Sequence, residues 1–283
     1  MSNVSPSCAI IIVTHNSEKY IHQAMECVNQ QTTLPEWIVI VDSGSRDPSY
    51  LQPYQAQSNV TVVLADKDIG FCKGNNIGMS KIPRHCDYVF LLNPDAFLTP
   101  RFVEEAMAFM EDPANRQCGA LTGTVLGYDV EAGAAKGAYD STGVFRSWYG
   151  RWYDRDQGSS YQSGRYRQPE VIPAICGAVF FCRKKALESV LIREREILDN
   201  TFYMYKEDID LSIRLQRKGW SLCFVPSLIA YHCRGWQRDR SKMPRELKIA
   251  SARNELRIQK YQKAPIPFLY SLCKFAAVKI FNI

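Results

Sequence analysis

The sequence predicts an α/β fold: a mostly parallel, doubly wound sheet flanked by helices, followed by a helical C-terminal extension. Three observations predict it. Apolar runs rich in Ile, Val and Leu recur along the first hundred residues with helical spacing between them. That is the pattern of strands buried on both faces and joined by crossover helices. Runs are followed by polar residues at Thr14, Asp42, Asp68 and Asp95, and in a parallel sheet such ends share the edge where ligands bind. Finally, the 283 residues are 46% hydrophobic and 23% charged, the balance of a soluble chain that buries a sizeable core.

Each element has its own signal. Residues 8–13 (Cys-Ala-Ile-Ile-Ile-Val) read as a buried strand stopped by Thr14-His15-Asn16. Tyr20, Ile21, Ala24 and Val28 give residues 17–31 helical spacing. Residues 37–41 and 60–64 read as the second and third strands, the former ending at Asp42-Ser43-Gly44-Ser45. Residues 68–78, punctuated by Gly70, Gly74 and Gly78, read as a turn opening a short helix. The run 88–92 is the clearest strand: Pro94 cannot donate to a ladder, so the strand stops and leaves Asp95 at its C-terminal end. Residues 127–170 lose periodicity and read as hairpins and loops. Residues 173–181 are apolar around Gly177 and read as a strand that a backbone or ligand approaches closely. Glu207-Asp208-Ile209-Asp210 opens an amphipathic helix that Gly219 stops. Residues 222–225 and 227–232 read as two short strands. From Pro244 the chain reads as helix, broken by Pro265 and Pro267.

Charge is unevenly spread. The net is +6, yet residues 234–283 hold 12 Lys and Arg against 3 Asp and Glu. A basic tail on a mildly acidic body fits either a solvated helix or an anionic partner such as lipid head groups. Residues 263–283 mix Phe268, Tyr270, Phe275 and Phe281 with Lys263, Lys274 and Lys279. That mixture suits an interfacial helix or one packed on protein. No apolar run reaches the roughly 18–20 residues of a spanning helix. No nucleic-acid motif accompanies the basic tail. The ten cysteines form no C-x-x-C pair, which argues against a zinc ribbon or a thioredoxin-like centre. Nothing at the N-terminus reads as a secretory leader, so the expected compartment is the cytoplasm, at the inner face of the cell membrane if the tail binds lipid.

Several side chains stand where chemistry is done. Asp95, at the end of a core strand, fits both a helix cap and a ligand to a divalent cation. His232 ends an apolar strand, and one Asp, one His, water and phosphate oxygens make a sensible site for Mg²⁺ or Mn²⁺. It reads equally as a satisfied core histidine. Asp42 suits a base or ribose hydroxyl, or an Asx turn. The glycine-rich segment exposes backbone N–H groups that suit phosphate oxygens, with Lys73 adding positive charge. Three acids within residues 207–210 exceed what capping requires, so one of them is a candidate general base.

In order, Val13-Thr14-His15-Asn16-Ser17, Val41-Asp42-Ser43-Gly44-Ser45, Gly70-Phe71-Cys72-Lys73-Gly74-Asn75-Asn76-Ile77-Gly78, Leu92-Asn93-Pro94-Asp95, Gly177-Ala178 and Glu207-Asp208-Ile209-Asp210-Leu211 resemble glycosyltransferase family 2. The likeness is greatest to its bacterial rhamnosyltransferase branch. The insertion is similar too, at Asp140-Ser141-Thr142-Gly143 and Asp154-Arg155-Asp156-Gln157-Gly158, and Gly219-Trp220, Pro226, His232 and Arg253-Asn254 continue the match. The resemblance spans residues 8 to 261. It implies a GT-A (Rossmann-like) fold and transfer of a rhamnose-like or other hexose, with inversion. The implied donor is a nucleoside diphosphate (dTDP or UDP) sugar, and the implied acceptor is a glycan or lipid-linked hydroxyl in bacterial surface polysaccharide synthesis. It implies that Thr14 and Asp42 hold the nucleoside and that Gly70, Lys73, Asn75, Asn76 and Asn93 lie along the donor. Asp95 and His232 would bind the metal, and Asp208 would be the catalytic base. Gly177, Ala178, Glu207, Arg253 and Asn254 would lie on the acceptor side. Asn93 replaces the first Asp that many members carry, as it does in the rhamnosyltransferase-like branch. Lys73 replaces a small residue, and Asp68 stands where Asn is common.

The expected division is a glycosyltransferase domain over 1–243, with a nucleotide-sugar half at 1–126 and an acceptor-side half at 127–243. A basic helical segment follows at 244–283. Two rival readings are a sugar nucleotidyltransferase and a non-catalytic carbohydrate-binding protein. The first usually needs a basic phosphate loop near the N-terminus, which residues 10–20 lack; the second would not need Asp95, His232 and Asp208 together.

Overall fold

The structure is a computed structural model, and it describes residues 6–193, 195–234 and 243–281. Its first half is β1 (Cys8–Thr14), α1 (Ile21–Asn29), β2 (Trp37–Asp42), α2 (Gln52–Gln55), β3 (Val60–Leu64), α3 (Gly70–Lys81) and β4 (Tyr88–Leu92). Every residue of β1 and β4 is buried, as unbroken apolar runs require of central strands. β1 lies parallel to β2 on one side and to β4 on the other, and β3 lies parallel beyond β2. The chain therefore leaves β1 in one direction and returns on its far side. That switch point opens a crevice at the C-terminal ends of β1 and β4. Alternate residues supply two cores, Ile10, Ile12 and Phe90 on one face and Ile11, Val13 and Leu91 on the other.

The glycines of the 70–78 segment do different work from that expected. Gly74 and Gly78 lie inside α3, not in a phosphate-binding turn. A Cβ on Gly74 would meet Val13 Cγ1 at 2.6 Å, and one on Gly78 would meet Ile11 Cγ2 at 2.4 Å. Their four-residue spacing marks the helix face laid on β1.

The second half adds β5 (Ala96–Leu98), α4 (Phe102–Glu111), β6 (Cys118–Asp129), β7 (Ala134–Ser141), β8 (Val144–Arg146), β9 (Trp152–Asp154), β10 (Glu170–Val171), β11 (Val179–Arg183), α5 (Lys184–Glu188), α6 (Glu207–Arg217), β12 (Ser221–His232), α7 (Arg245–Gln262) and α8 (Pro265–Phe281). β11 runs antiparallel between β4 and β6 and so joins the halves into one sheet, ordered β10-β12-β6-β11-β4-β1-β2-β3. β12 lies parallel to β6 and also pairs with β5; β7 forms a hairpin with β6. The 126/127 join expected between the two halves falls inside β6.

Other boundaries differ from the sequence reading for local reasons. The strand expected over 173–181 begins only at Val179, because Ile175 and Gly177 give their N–H groups to Ser212 and Asp208 of α6. The two strands expected within 222–232 are one, β12, with a register shift between Val225 and Ile229 at Pro226. Pro265 and Pro267 do not break a helix but start α8, where proline is tolerated in the first turn. The break is made by Lys263, whose φ of 54° is left-handed.

Candidate active site

The crevice at the switch point is a cleft of about 270 Å³. Its walls come from four places. Residues 13–17 and Tyr20 follow β1, Ser43 follows β2, Asp68, Gly70 and Phe71 open α3, and Asn93, Pro94 and Asp95 follow β4; Met204 closes one side. Ser43 ties the first three together. Its N–H donates to Thr14 O at 2.7 Å, its hydroxyl donates to Asp68 Oδ1 at 2.8 Å, and its carbonyl accepts from His15 Nδ1 at 2.7 Å. Burial pushes the Asp68 carboxyl up, but hydrogen bonds from Tyr203, Ser43 and the Gly70 N–H outweigh it and hold Asp68 below the usual carboxylate range.

Of these lining residues, Asp95 meets His232. The Asp95 Oδ1 to His232 Nε2 distance is 3.2 Å, and the side chains are only 15% and 7% exposed. His232 reaches this point because β12 pairs with β5 directly after the Asp95 turn, with His232 opposite Ala96. Behind the ring, Nδ1 donates to Asp140 Oδ2 at 2.8 Å. Arg234 Nε lies 2.5 Å from Asp140 Oδ1, and its Nη2 donates to Asp154 Oδ2 at 3.0 Å. Burial pulls the His232 imidazole down, but the two carboxylates outweigh it and push its pKa to about 10. Burial pushes Asp95 up, and His232 more than offsets it, so Asp95 lies below its usual value.

The donor set fits a hard divalent cation. A carboxylate oxygen and an imidazole nitrogen meet here at 3.2 Å, and both are ligand types that such a cation accepts. Among the described residues there is no cluster of three or more His, Cys, Asp or Glu that would complete a site from protein alone. Water or phosphate oxygens would fill the remaining positions.

Of the three acids at the start of α6, Asp208 is the one that is not buried, although it does not line the cleft. Asp210 is buried and pairs with Arg214 Nε at 2.7 Å and with the Tyr261 hydroxyl. Glu207 is buried, and burial together with the Asp208 charge pushes its pKa to about 8. Asp208 is half-buried. Its Oδ2 accepts the Gly177 N–H at 3.0 Å and its Oδ1 accepts the Ile209 N–H at 2.8 Å. Burial raises its pKa, with Lys206 and these two N–H groups opposing. One residue on, Ala178 O accepts the Asn93 N–H at 3.0 Å. Gly177-Ala178 thus links the Asp208 carboxylate to the segment that carries Asp95.

The other expected site residues divide between the cleft and the surrounding structure. Thr14 and Gly70 line the cleft, but Asp42 does not; it is 1% exposed and accepts from Thr14, Ser45 and Tyr50. Asn75 is buried, and its amide donates to Phe71 O within α3. Asn76 is consumed by the 196–200 loop, donating to Leu198 O and Asn200 Oδ1 and accepting from the N–H groups of Ile197 and Leu198. Lys73 is exposed and outside the cleft lining. Arg253 is exposed on α7, whereas Asn254 is buried and its Nδ2 lies 3.0 Å from the carbonyls of Phe202, Met204 and Tyr205. Asn254 therefore shapes the loop before α6, where Tyr203, Tyr205 and Lys206 all have left-handed φ. Sequence reasoning missed the contributions of Asp140, Arg234, Tyr203 and Met204. Asp140 enters the sequence reading only within the family-like run Asp140-Ser141-Thr142-Gly143, with no role attached to it.

The family profile described as "Glycosyl transferase family 2" matches residues 9–191. The chain belongs to glycosyl transferase family 2. This glycosyltransferase is 23% identical over 251 residues to the N-acetylglucosaminyl-diphospho-decaprenol L-rhamnosyltransferase of Mycobacterium tuberculosis, covering 82% of this chain and 76% of that one. Its GT-A fold is also that of GalNAc-T7, solved with UDP, GalNAc and Mn²⁺ (TM-score 0.67, 17% identity, 92% of this chain and 48% of that chain). The mannosyltransferase PcManGT of Pyrobaculum calidifontis, solved with GDP-Man and Mn²⁺, matches with a TM-score of 0.58 at 17% identity, over 99% of this chain and 73% of that one.

Proposed function

We propose that this glycosyltransferase moves a hexose, rhamnose-like in the first instance, from a dTDP or UDP donor to a hydroxyl of a glycan or lipid-linked acceptor, with inversion, in bacterial surface polysaccharide synthesis. The observation that carries the reading is the pairing of two poles. A buried Asp95–His232 pair begins two residues after Asn93, and the Asn93 N–H is held by Ala178, next to the Gly177 N–H that fixes the Asp208 carboxylate. The name of the M. tuberculosis relative supports the sugar and the lipid-linked acceptor. The Mn²⁺ and UDP with which GalNAc-T7 was solved support the metal and a pyrimidine nucleotide.

The chain's own groups divide the work. Thr14, His15 and Ser43 receive the nucleoside in the cleft, and Met204 and Phe71 limit water on its flank. Asp95 and His232 would hold Mg²⁺ or Mn²⁺, which would supply Lewis-acid stabilisation to the departing diphosphate. Asp208 takes the proton from the acceptor hydroxyl as that oxygen attacks the anomeric carbon. The bond to the diphosphate breaks on the opposite face, so the configuration inverts. Burial raises the Asp208 pKa and so strengthens it as a base.

With a lipid-linked acceptor, the protein would work at the cytoplasmic face of a membrane. On α8, Ile266, Leu269, Leu272, Ile280 and Phe281 are exposed and no acid interrupts the helix. The neighbouring Trp148 is 81% exposed, and Tyr149 packs on Tyr270 at 5.0 Å. Among the described residues no helix is long and apolar enough to cross a membrane, so the contact would be interfacial. A panel of nucleotide sugars incubated with Mn²⁺ and lipid-linked acceptors tests the whole reading. Metal-dependent release of nucleoside diphosphate with a product of inverted anomeric configuration supports it. A retained configuration, or no release from any donor, would reject it.

A further inference from the structure

Asp140 and His232 lie 92 residues apart in sequence and meet through an irregularity in the sheet. The β6–β7 ladder pairs Val125 with Ser141 but Leu126 with Tyr139, so Asp140 is an extra, bulged residue. A bulge breaks the strict alternation of side chains and re-aims one of them. Strand β6 runs between β7 and β12, and its residue opposite His232 is Gly127, which brings no side chain to that rung. Asp140 is 5% exposed, with one oxygen on His232 Nδ1 and the other on Arg234. Arg234 is anchored in turn by Asp154. With Nδ1 committed to Asp140, the nitrogen left facing Asp95 and the cleft is Nε2.

We infer that Asp140 is a positioning residue that fixes the ring angle and tautomer with which His232 offers Nε2 to a divalent cation. This rests on the metal reading above. A carboxylate behind a ligating imidazole holds its orientation and raises its basicity, and loss of such a partner costs ~10–100-fold in metal affinity. The rival role for Asp140 is purely structural, as counter-charge to Arg234. The two roles separate by substitution. Asp140→Asn keeps an oxygen that accepts from Nδ1 but removes the charge facing Arg234; Asp140→Ala removes both.

The experiment titrates Mn²⁺ alone into the full chain and reads the free ion by electron paramagnetic resonance, with the thermal unfolding midpoint of each variant alongside. Asp140→Ala is expected to weaken Mn²⁺ binding ~10–100-fold and Asp140→Asn to stay within a few-fold of wild type. Asp140→Leu, which is close in size and cannot accept a hydrogen bond, replaces the alanine variant if that one does not fold. Unchanged affinity in Asp140→Ala or Asp140→Leu would overturn the inference while leaving the metal reading intact. Equal losses in the asparagine and alanine variants, matched by equal falls in unfolding midpoint, would assign Asp140 to structure alone. A wild-type chain that binds no Mn²⁺, whether alone or with dTDP or UDP present, would remove the metal reading and this inference with it.

Discussion

The Asp208 carboxylate accepts the Gly177 N–H at 3.0 Å, which sets the base one residue from the Ala178 carbonyl that holds Asn93. An amide at position 208 keeps one oxygen to accept an N–H, gives up the second of these bonds, and cannot take a proton. Asp208→Asn should therefore lower kcat by ~10²–10⁴-fold while donor affinity, measured by calorimetry, changes little. Because burial raises the Asp208 pKa, the acid limb of kcat/KM should lie above the ordinary aspartate value of 3.8. Undiminished transfer by Asp208→Asn would remove it from the mechanism.

Asn254 predicts a different signature. Its amide serves the carbonyls of Phe202, Met204 and Tyr205 in a loop with three left-handed residues. Asn254→Ala strands those buried acceptors at a cost of about 1–3 kcal/mol, to be read as a shift in chemical denaturation. The same variant should lose activity through kcat, because the loop runs directly into Glu207 and Asp208. A variant as stable and as active as wild type would show that the loop holds its shape without Asn254.

Glu207 should make stability depend on pH. Its folded pKa is raised from 4.5 to about 8, first by burial and then by Asp208. A carboxyl with a raised folded pKa binds its proton more tightly in the native state, so its contribution is full below the unfolded value. That contribution is lost as pH rises through the folded one. Stability should therefore fall between about pH 4.5 and about pH 8, and Glu207→Gln should flatten that slope. Denaturation midpoints across this window check it; identical slopes in both proteins would contradict it.

The α8 surface makes a prediction independent of the catalytic centre. Replacing Trp148, Ile266 and Leu269 by serine removes exposed apolar area without touching the cleft. Sedimentation with anionic vesicles should drop in this variant, while solution transfer to a water-soluble acceptor analogue is unchanged. Equal sedimentation would point to a protein partner for this face.

The parts of this site legible in the sequence are those carried by strand ends. Thr14 and Asp95 follow unbroken apolar runs, and a strand buried on both faces fixes where its last residue points. His232 is legible from its place after the short apolar run 228–231, although β12 is not buried throughout. Asn75 and Asn76 mislead because glycines four residues apart suit a phosphate loop and a helix face equally, and only the contacts with Val13 and Ile11 decide. Asp42 misleads because its partners Ser45 and Tyr50 come from a turn whose path the pattern does not specify. Asp140 is hidden by a bulge, which shifts register without leaving a periodic trace. The expected acceptor-side role of Arg253 has no counterpart among the described contacts, and the expected split at 243/244 falls just before α7.

The central claim is that Asp95 and His232 bind the donor's diphosphate through a divalent cation. Calorimetric titration of dTDP and UDP into wild type and Asp95→Ala, each with and without Mn²⁺, tests it most directly. Wild type should bind one of the two nucleotides markedly more tightly with Mn²⁺, and Asp95→Ala should lose that increment while staying folded. Equal Mn²⁺-dependent affinity in the two proteins would contradict the account.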